Sequence, residues 1–278
     1  MRVAVVTLFP TMIDEFIRHG VLSRSVASGL LEVTTYNPRD YTVDAHRTVD
    51  DRPYGGGPGM VMKIEPLQAA IEAARDNLSA PALPEPVLSS DAQEETSATP
   101  LVVFLSPQGA RFDQQMARDW ASDGRPLMLI AGRYEGVDQR LLDTAVDKEV
   151  SLGDFVLSGG EVGVMAILDA VSRLIPGSLG NQGSALSDSF GEDGLLEYPQ
   201  YTRPEVHQGQ CVPEVLKSGD HGLIAQWRRQ QSLLNTWRKR PDLLQAATEK
   251  GELNKQDLEF LKSLQDTTDN ENSQDDGQ

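Results

Sequence analysis

Residues 151–161 read SLGDFVLSGGE, a short glycine-rich stretch with a strongly periodic apolar run directly behind it. Two further segments share its character, LSPQG at 105–109 and GRYEG at 132–136. Each follows an apolar run of strand type. Glycine lets a backbone approach a ligand closely and leaves N–H and C=O groups free to bond it. Two readings are open for Gly109, Gly132, Gly136, Gly153, Gly159 and Gly160: plain corners in the chain, or walls of one small-molecule pocket. Three such clusters after three successive strands favour the pocket.

The surrounding pattern sets the fold class. Apolar, strand-like runs at 2–8, 31–36, 101–105, 127–130 and 149–150 alternate with helical patterns at 11–18, 21–28, 65–75, 113–122, 137–144 and 161–174. That alternation predicts an α/β fold with a mostly parallel sheet. In open sheets of this kind ligands sit beyond the carboxyl ends of the strands, where the three segments fall. Phe112, Met116 and Trp120 share one helical face and read as core. The polar stretch 37–60 is long for a structureless connection and dense in Arg, Asp, His and Tyr, so it reads as functional. Residues 76–99, rich in Pro, Ala, Ser and Glu, read as an acidic surface insertion.

Residues 1–179 therefore form one domain and 180–194 a flexible linker of Gly, Ser and Asp character. Residues 195–265 form a small all-α domain with helices near 223–237, 242–248 and 254–264. Residues 266–278 read as a disordered acidic tail. The first of those helices carries Trp227, Arg228, Arg229 and Trp237, and Arg238, Lys239 and Arg240 follow directly at its end. Such a helix can grip phosphates and stack on bases, although at least one tryptophan is expected to pack inside the domain.

Composition excludes several classes. No apolar run is long enough to cross a bilayer, so no membrane partner is expected. The single cysteine, Cys211, removes internal disulfides and Cys-rich zinc sites and suits the reducing cytoplasm. Four histidines lack metal-ligand spacing, so no metal site is assigned. There is no GxGxxG, no P-loop Gly-Lys-Ser/Thr and no GxSxG elbow, which leaves dinucleotide, nucleotide-hydrolase and serine-hydrolase readings unsupported. The formal charge of −17 disfavours nucleic acid at first sight. Residues 76–99 and the chain after Leu264, however, carry five acids each and no base. RNA binding is thus left to local basic patches.

Glu135 and Asp154 are the acids within the glycine-rich segments. They suit a sulfonium or a ribose hydroxyl, and equally suit solvent. Arg173 stands near a helix end, four residues after Asp169, as an exposed pair worth about 0.3–0.5 kcal/mol would. Asp188, on its own, reads as a turn residue.

Taken together and in order, HRTVDDRPYGGGPGM (46–60), LSPQG, GRYEG, SLGDFVLSGGE, SRLIPG (172–177), SDSF (187–190) and YPQYTRPEV (198–206) are specific. The chain closely resembles the bacterial tRNA (guanine-N1)-methyltransferases of TrmD type, within the SPOUT class of trefoil-knotted methyltransferases. The resemblance implies a deep knot in the C-terminal part of the sheet, with S-adenosylmethionine bound inside it. It places the cofactor on Leu105, Ser106 and Pro107, on Gly132, Tyr134, Glu135 and Gly136, and on Ser151, Leu152, Gly153, Asp154, Phe155, Val156, Leu157, Gly159 and Gly160. It implies methylation of N1 of guanosine at tRNA position 37, with Asp188 as general base and Arg173 stabilising the developing negative charge. It further implies a homodimer whose active sites lie at the subunit interface, so that Asp188 of one chain serves the other's cofactor. Assistance by Mg2+ is compatible with this chemistry. The alternatives are a knotted methyltransferase acting on another RNA, and an RNA-binding relative without catalysis.

Overall fold

The computed structural model describes residues 1–80, 99–179 and 188–275, with side chains through residue 266. The chain divides into two compact units, 1–180 and 181–278.

In the first unit β1 (Arg2–Val6) leads into α1 (Pro10–Phe16) and α2 (Gly20–Ala27). Then come β2 (Glu32–Tyr36), the short hairpin of β3 (Asp50–Asp51) and β4 (Val61–Met62), and α3 (Ile64–Ser79). After the undescribed residues 81–98 follow β5 (Leu101–Arg111), α4 (Gln114–Asp123), β6 (Leu127–Ala131), α5 (Gln139–Ala145), β7 (Lys148–Ser151) and α6 (Glu161–Ser172). The main sheet has the order β2-β1-β6-β5-β7, and every pairing in it is parallel. Both faces are covered, as a parallel sheet requires. Val3, Val5, Val103, Leu127 and Leu129 point to one side, where α1, α2, α4 and α6 pack. Their neighbours Ala4, Val6, Val102, Phe104, Met128 and Ile130 point to the other, under α3 and α5. The period of two along each strand thus builds two cores, and near-continuous apolar runs are the result.

Several boundaries differ from the expectations. The helix expected to end at Arg75 continues to Ser79, so residues 76–79 belong to α3 rather than to an insertion. Leu78 explains the extension: it is buried at the helical spacing from Ala74 and Ile71. The Arg2 guanidinium donates to the carbonyls of Leu78 and Ala80 at 2.6 and 2.7 Å, tying the helix end to β1. The remainder of that insertion, 81–98, lies outside the described residues.

LSPQG is not a loop after a strand. It is an excursion within β5, which leaves its register with β7 at Leu105 and resumes it at Ala110 opposite Val150. Pro107 and Gly109 look like strand breakers in the sequence. Gly109 instead lets the returning backbone press on β7: a Cβ there would lie 2.2 Å from the Val150 nitrogen. The Phe112 N–H then donates to the Ser151 carbonyl at 2.8 Å.

The second unit holds the hairpin β8 (Val206–His207) and β9 (Gln210–Cys211), then α7 (His221–Lys239), α8 (Pro241–Lys250) and α9 (Lys255–Asp275). It is therefore largely helical but not all-α. Leu195, Leu233, Ala247, Leu253 and Leu261 form its core, with Trp237 packed against them. Trp227 instead meets Tyr201, ring centroids 6.2 Å apart. Two expectations of disorder are corrected. The stretch expected to be a disordered tail is helical through Asp275, and only 276–278 lie beyond description. Within the expected linker, 180–187 lie outside the described residues, but 188–194 fold as turns on the helical unit. There the Phe190 N–H donates to the Leu195 carbonyl at 2.7 Å, and Gly191 is buried.

Candidate active site

The three glycine-rich segments, the first from the excursion within β5 and the others from beyond the carboxyl ends of β6 and β7, converge and enclose a cleft of about 420 Å3. Of the residues named from the sequence, Leu105, Ser106 and Pro107 line it from β5, and Gly132, Tyr134, Glu135 and Gly136 from the loop after β6. Ser151, Leu152, Phe155, Val156, Leu157, Gly159 and Gly160 close it from the third segment. Gly153 and Asp154 do not form its wall. Gly153 is buried in a tight turn in which the Ser151 hydroxyl accepts from the Gly153 N–H at 3.1 Å and donates to its carbonyl at 3.0 Å. Asp154 is exposed.

The segments hold one another by close backbone packing. The Gly160 N–H donates to the Gly132 carbonyl at 2.9 Å, and a Cβ on Gly160 would lie 2.7 Å from the Ala131 Cα. Tyr134 sits at φ 58°, a left-handed conformation rare for an aromatic residue. Its loop is pinned from below by the end of the polar stretch 37–60. The Glu135 N–H donates to the Met60 carbonyl and the Met62 N–H to the Gly136 carbonyl, both at 2.9 Å. Gly59 makes room for Glu135, whose carboxylate lies where a Cβ would stand. The long polar stretch is thus structural at its C-terminal end, while Tyr54 in its middle is fully exposed.

Behind the cleft lies a charged group that reading the sequence missed. Glu161, the first residue of α6, is fully buried. Its Oε1 accepts from the Thr7 hydroxyl at 2.9 Å, and its Oε2 lies 2.8 Å from Arg133 Nη2. Arg133 also donates to the Ser158 carbonyl at 3.2 Å and stacks 4.4 Å above the Phe9 ring centroid. A carboxylate in the first turn of a helix is unremarkable in a sequence, and nothing in SGGE announces its burial. Gln108, Arg133, Gln139 and Glu149 also line the cleft and were not named.

Asp138 caps α5 beside the cleft by accepting from the Arg140 N–H at 3.0 Å. Its side-chain bonds to the Arg140 guanidinium are the main reason its carboxyl is pushed down to about 2.

Arg173 and Asp188 stand in different units. Arg173 is the C-terminal cap of α6, its N–H donating to the Asp169 carbonyl at 3.3 Å. Asp188 is half-buried in the turn that precedes α7, where its carbonyl accepts from the Gly191 N–H at 3.2 Å. That turn is held by an ion-pair cluster. Arg229 of α7 contacts Asp193 and pairs twice with Asp257, through Nε at 3.1 Å and Nη2 at 2.9 Å. Asp193 in turn accepts from the Leu195 N–H at 3.1 Å.

Among the described residues no group of three or more His, Cys, Asp and Glu side chains is placed to hold a metal ion. No described helix is long and apolar enough to cross a membrane.

Fold and cleft together define an α/β domain with a cleft of small-molecule size at the carboxyl-end side of its sheet. The family model described as tRNA (Guanine-1)-methyltransferase TrmD matches residues 1–246, and the chain belongs to that family. It is 48% identical over 267 residues to the tRNA (guanine-N(1)-)-methyltransferase of Stutzerimonas stutzeri, covering 96% of this chain and 99% of that one. The enzyme of the same name from Pseudomonas entomophila is 49% identical with the same coverage. That from Halorhodospira halophila is 51% identical over 243 residues, 87% of this chain and 84% of that protein.

Proposed function

We propose that this protein transfers a methyl group from S-adenosylmethionine to N1 of guanosine at tRNA position 37. Family membership supports the reaction. The observation that carries it to this chain is the single cleft built from all three glycine-rich segments.

The cleft fits the donor in size and chemistry. Its volume of about 420 Å3 lies within the usual range for small-molecule sites. Leu105, Leu152 and Leu157 offer apolar walls, glycine backbone offers donors and acceptors for an adenine edge, and Glu135 and Glu149 offer negative charge. When bound, S-adenosylmethionine supplies an electrophilic methyl group on a sulfonium. No covalent protein intermediate is required.

The remaining task is to make guanine N1 nucleophilic. In the neutral base N1 carries a proton and its lone pair is delocalised into the ring amide. In this reading the Asp188 carboxylate accepts that proton, and the Arg173 guanidinium balances the negative charge that gathers on O6. The proton ends on Asp188, the methyl on N1, and the sulfonium's positive charge is discharged as the neutral thioether leaves.

The reading includes a homodimer, with Asp188 of the partner subunit completing each site, and a trefoil knot in the β5–α6 region. The close backbone approach at Gly109–Val150 and Gly160–Ala131 is compatible with a knot in that region. The helical unit contributes tRNA binding through α7, where Arg228 stacks 4.8 Å from the Tyr198 ring centroid. An RNA substrate and a lone free cysteine suit the cytoplasm. Asp188→Asn tests the assignment: turnover should be lost while donor affinity stays within about twofold. Wild-type turnover in that variant would refute the assigned base. Running the same assay with Mg2+ and with chelator measures any divalent-ion assistance.

A further inference from the structure

Arg133 is the one cation among the described residues that line the cleft, and it lies in the wall of a site read as holding a sulfonium cation. The positive N-terminus of the 12-residue α6 opens toward the same place. Two sources of positive potential beside a cationic ligand are an electrostatic conflict. Glu161 resolves it. Its carboxylate is fully buried, sits in the first turn of α6 and approaches Arg133 to 2.8 Å. The contact is an ion pair rather than an aligned hydrogen bond, for neither Glu161 Oε2 nor Arg133 Nε has a hydrogen-bond partner. A pair built only to fasten two loops would be expected to align its donors and acceptors; here the bonds that fasten run to Thr7 and the Ser158 carbonyl.

We propose that Glu161 sets the preference of the cleft for the sulfonium donor over its neutral thioether product, by cancelling the charge of Arg133 and of the α6 N-terminus. Glu161 touches neither substrate nor cofactor; it acts through Arg133 as a specificity-determining residue. The consequence concerns turnover as well as binding. Donor and product share the adenosine and amino-acid parts and differ in a methyl group and one positive charge. Without Glu161 the wall would be more positive by one charge, and Glu135 and Glu149 alone would favour the incoming donor less over the spent product. The proposal rests on the reading of the cleft as the donor site.

The test is calorimetric titration of the full chain with S-adenosylmethionine and, separately, with S-adenosylhomocysteine. Glu161→Gln keeps the shape and removes the charge. It should shift the ratio of the two dissociation constants toward the neutral ligand by about three- to tenfold, the size expected for one unit charge across a partly hydrated cleft. Adding Arg133→Met to that variant should bring the ratio back to within about twofold of wild type. Equal weakening of both ligands in Glu161→Gln, or no recovery in the double variant, would overturn the proposal and leave the pair a structural fastening. If Glu161→Gln does not fold, Arg133→Met alone decides. Removing the cation must leave the ratio unchanged or move it toward the sulfonium, and a shift toward the neutral ligand would overturn the idea. Failure of the wild-type chain to bind either ligand would instead refute the donor site itself.

Discussion

Gly160 marks the point where the third segment crosses the second with no space for a side chain. A Cβ would press on the Ala131 backbone at 2.7 Å, and backbone cannot swing aside as a side chain can. Gly160→Ala is expected to cost about 1–3 kcal/mol of stability, as overpacking does, and to weaken donor binding at least about tenfold. Thermal melts and titration measure the two. Gly163, three residues on, makes the contrast. Its added Cβ would meet only the end of the Leu105 side chain at 3.1 Å, inside a helix where alanine is favoured by about 1 kcal/mol. Gly163→Ala should therefore leave stability within about 1 kcal/mol of wild type. At this scale the sequence was legible where chemistry depends on residue type in a fixed order, as in the three glycine segments. It was silent on Glu161, because burial of a helix-first carboxylate depends on Thr7 and Arg133, far away in the chain. Gly153 and Asp154 lie between residues that line the cleft, Gly153 buried in its turn and Asp154 exposed.

Among the elements, α5 and α7 each hang on a local electrostatic device. The Asp138 cap of α5 has its carboxyl pushed from an ordinary 3.8 down to about 2 by the Arg140 side chain. A depressed carboxyl stabilises the fold above its unfolded value, and that contribution is lost as pH falls through the folded one. Between about pH 4 and pH 2 the wild-type chain should lose stability that Asp138→Asn, already without it, does not lose. Melting temperatures of the two chains across that range should converge toward pH 2. The Arg229 cluster ties the Asp188 turn to α7 and α9. Asp257 is only 3% exposed, whereas Arg229 is about a third exposed. Arg229→Met should thus cost about 1–3 kcal/mol in denaturant titration, below the full penalty for a wholly buried pair. Strand and helix types were readable because short, continuous apolar runs differ plainly from apolar positions recurring at a period of 3.6. Ends were not. Long-range partners decided them: Arg2 extends α3, and β7 draws β5 past Pro107 and Gly109.

At the scale of the whole molecule, the division into a sheet unit and a helical unit was visible from the change in composition after residue 179. Neither the β8–β9 hairpin nor the helix through Asp275 was, since short strands and polar helices carry weak patterns. The proposed dimer makes a strong prediction. Gly160→Ala damages the cleft and Asp188→Asn removes the base, so at donor concentrations well below saturation each chain alone should lose most of its activity. If each site takes its base from the partner subunit, mixing and re-associating the two should recover about a quarter of wild-type activity, through one intact site per mixed dimer. No recovery would mean that cleft and base belong to one chain. The central claim remains the reaction. Transcripts of a tRNA with guanosine at position 37, incubated with the protein and S-adenosylmethionine and digested to nucleosides, should yield 1-methylguanosine, one per molecule, and none when position 37 is adenosine. Methyl groups on another atom or another nucleotide, or no incorporation at all, would contradict it.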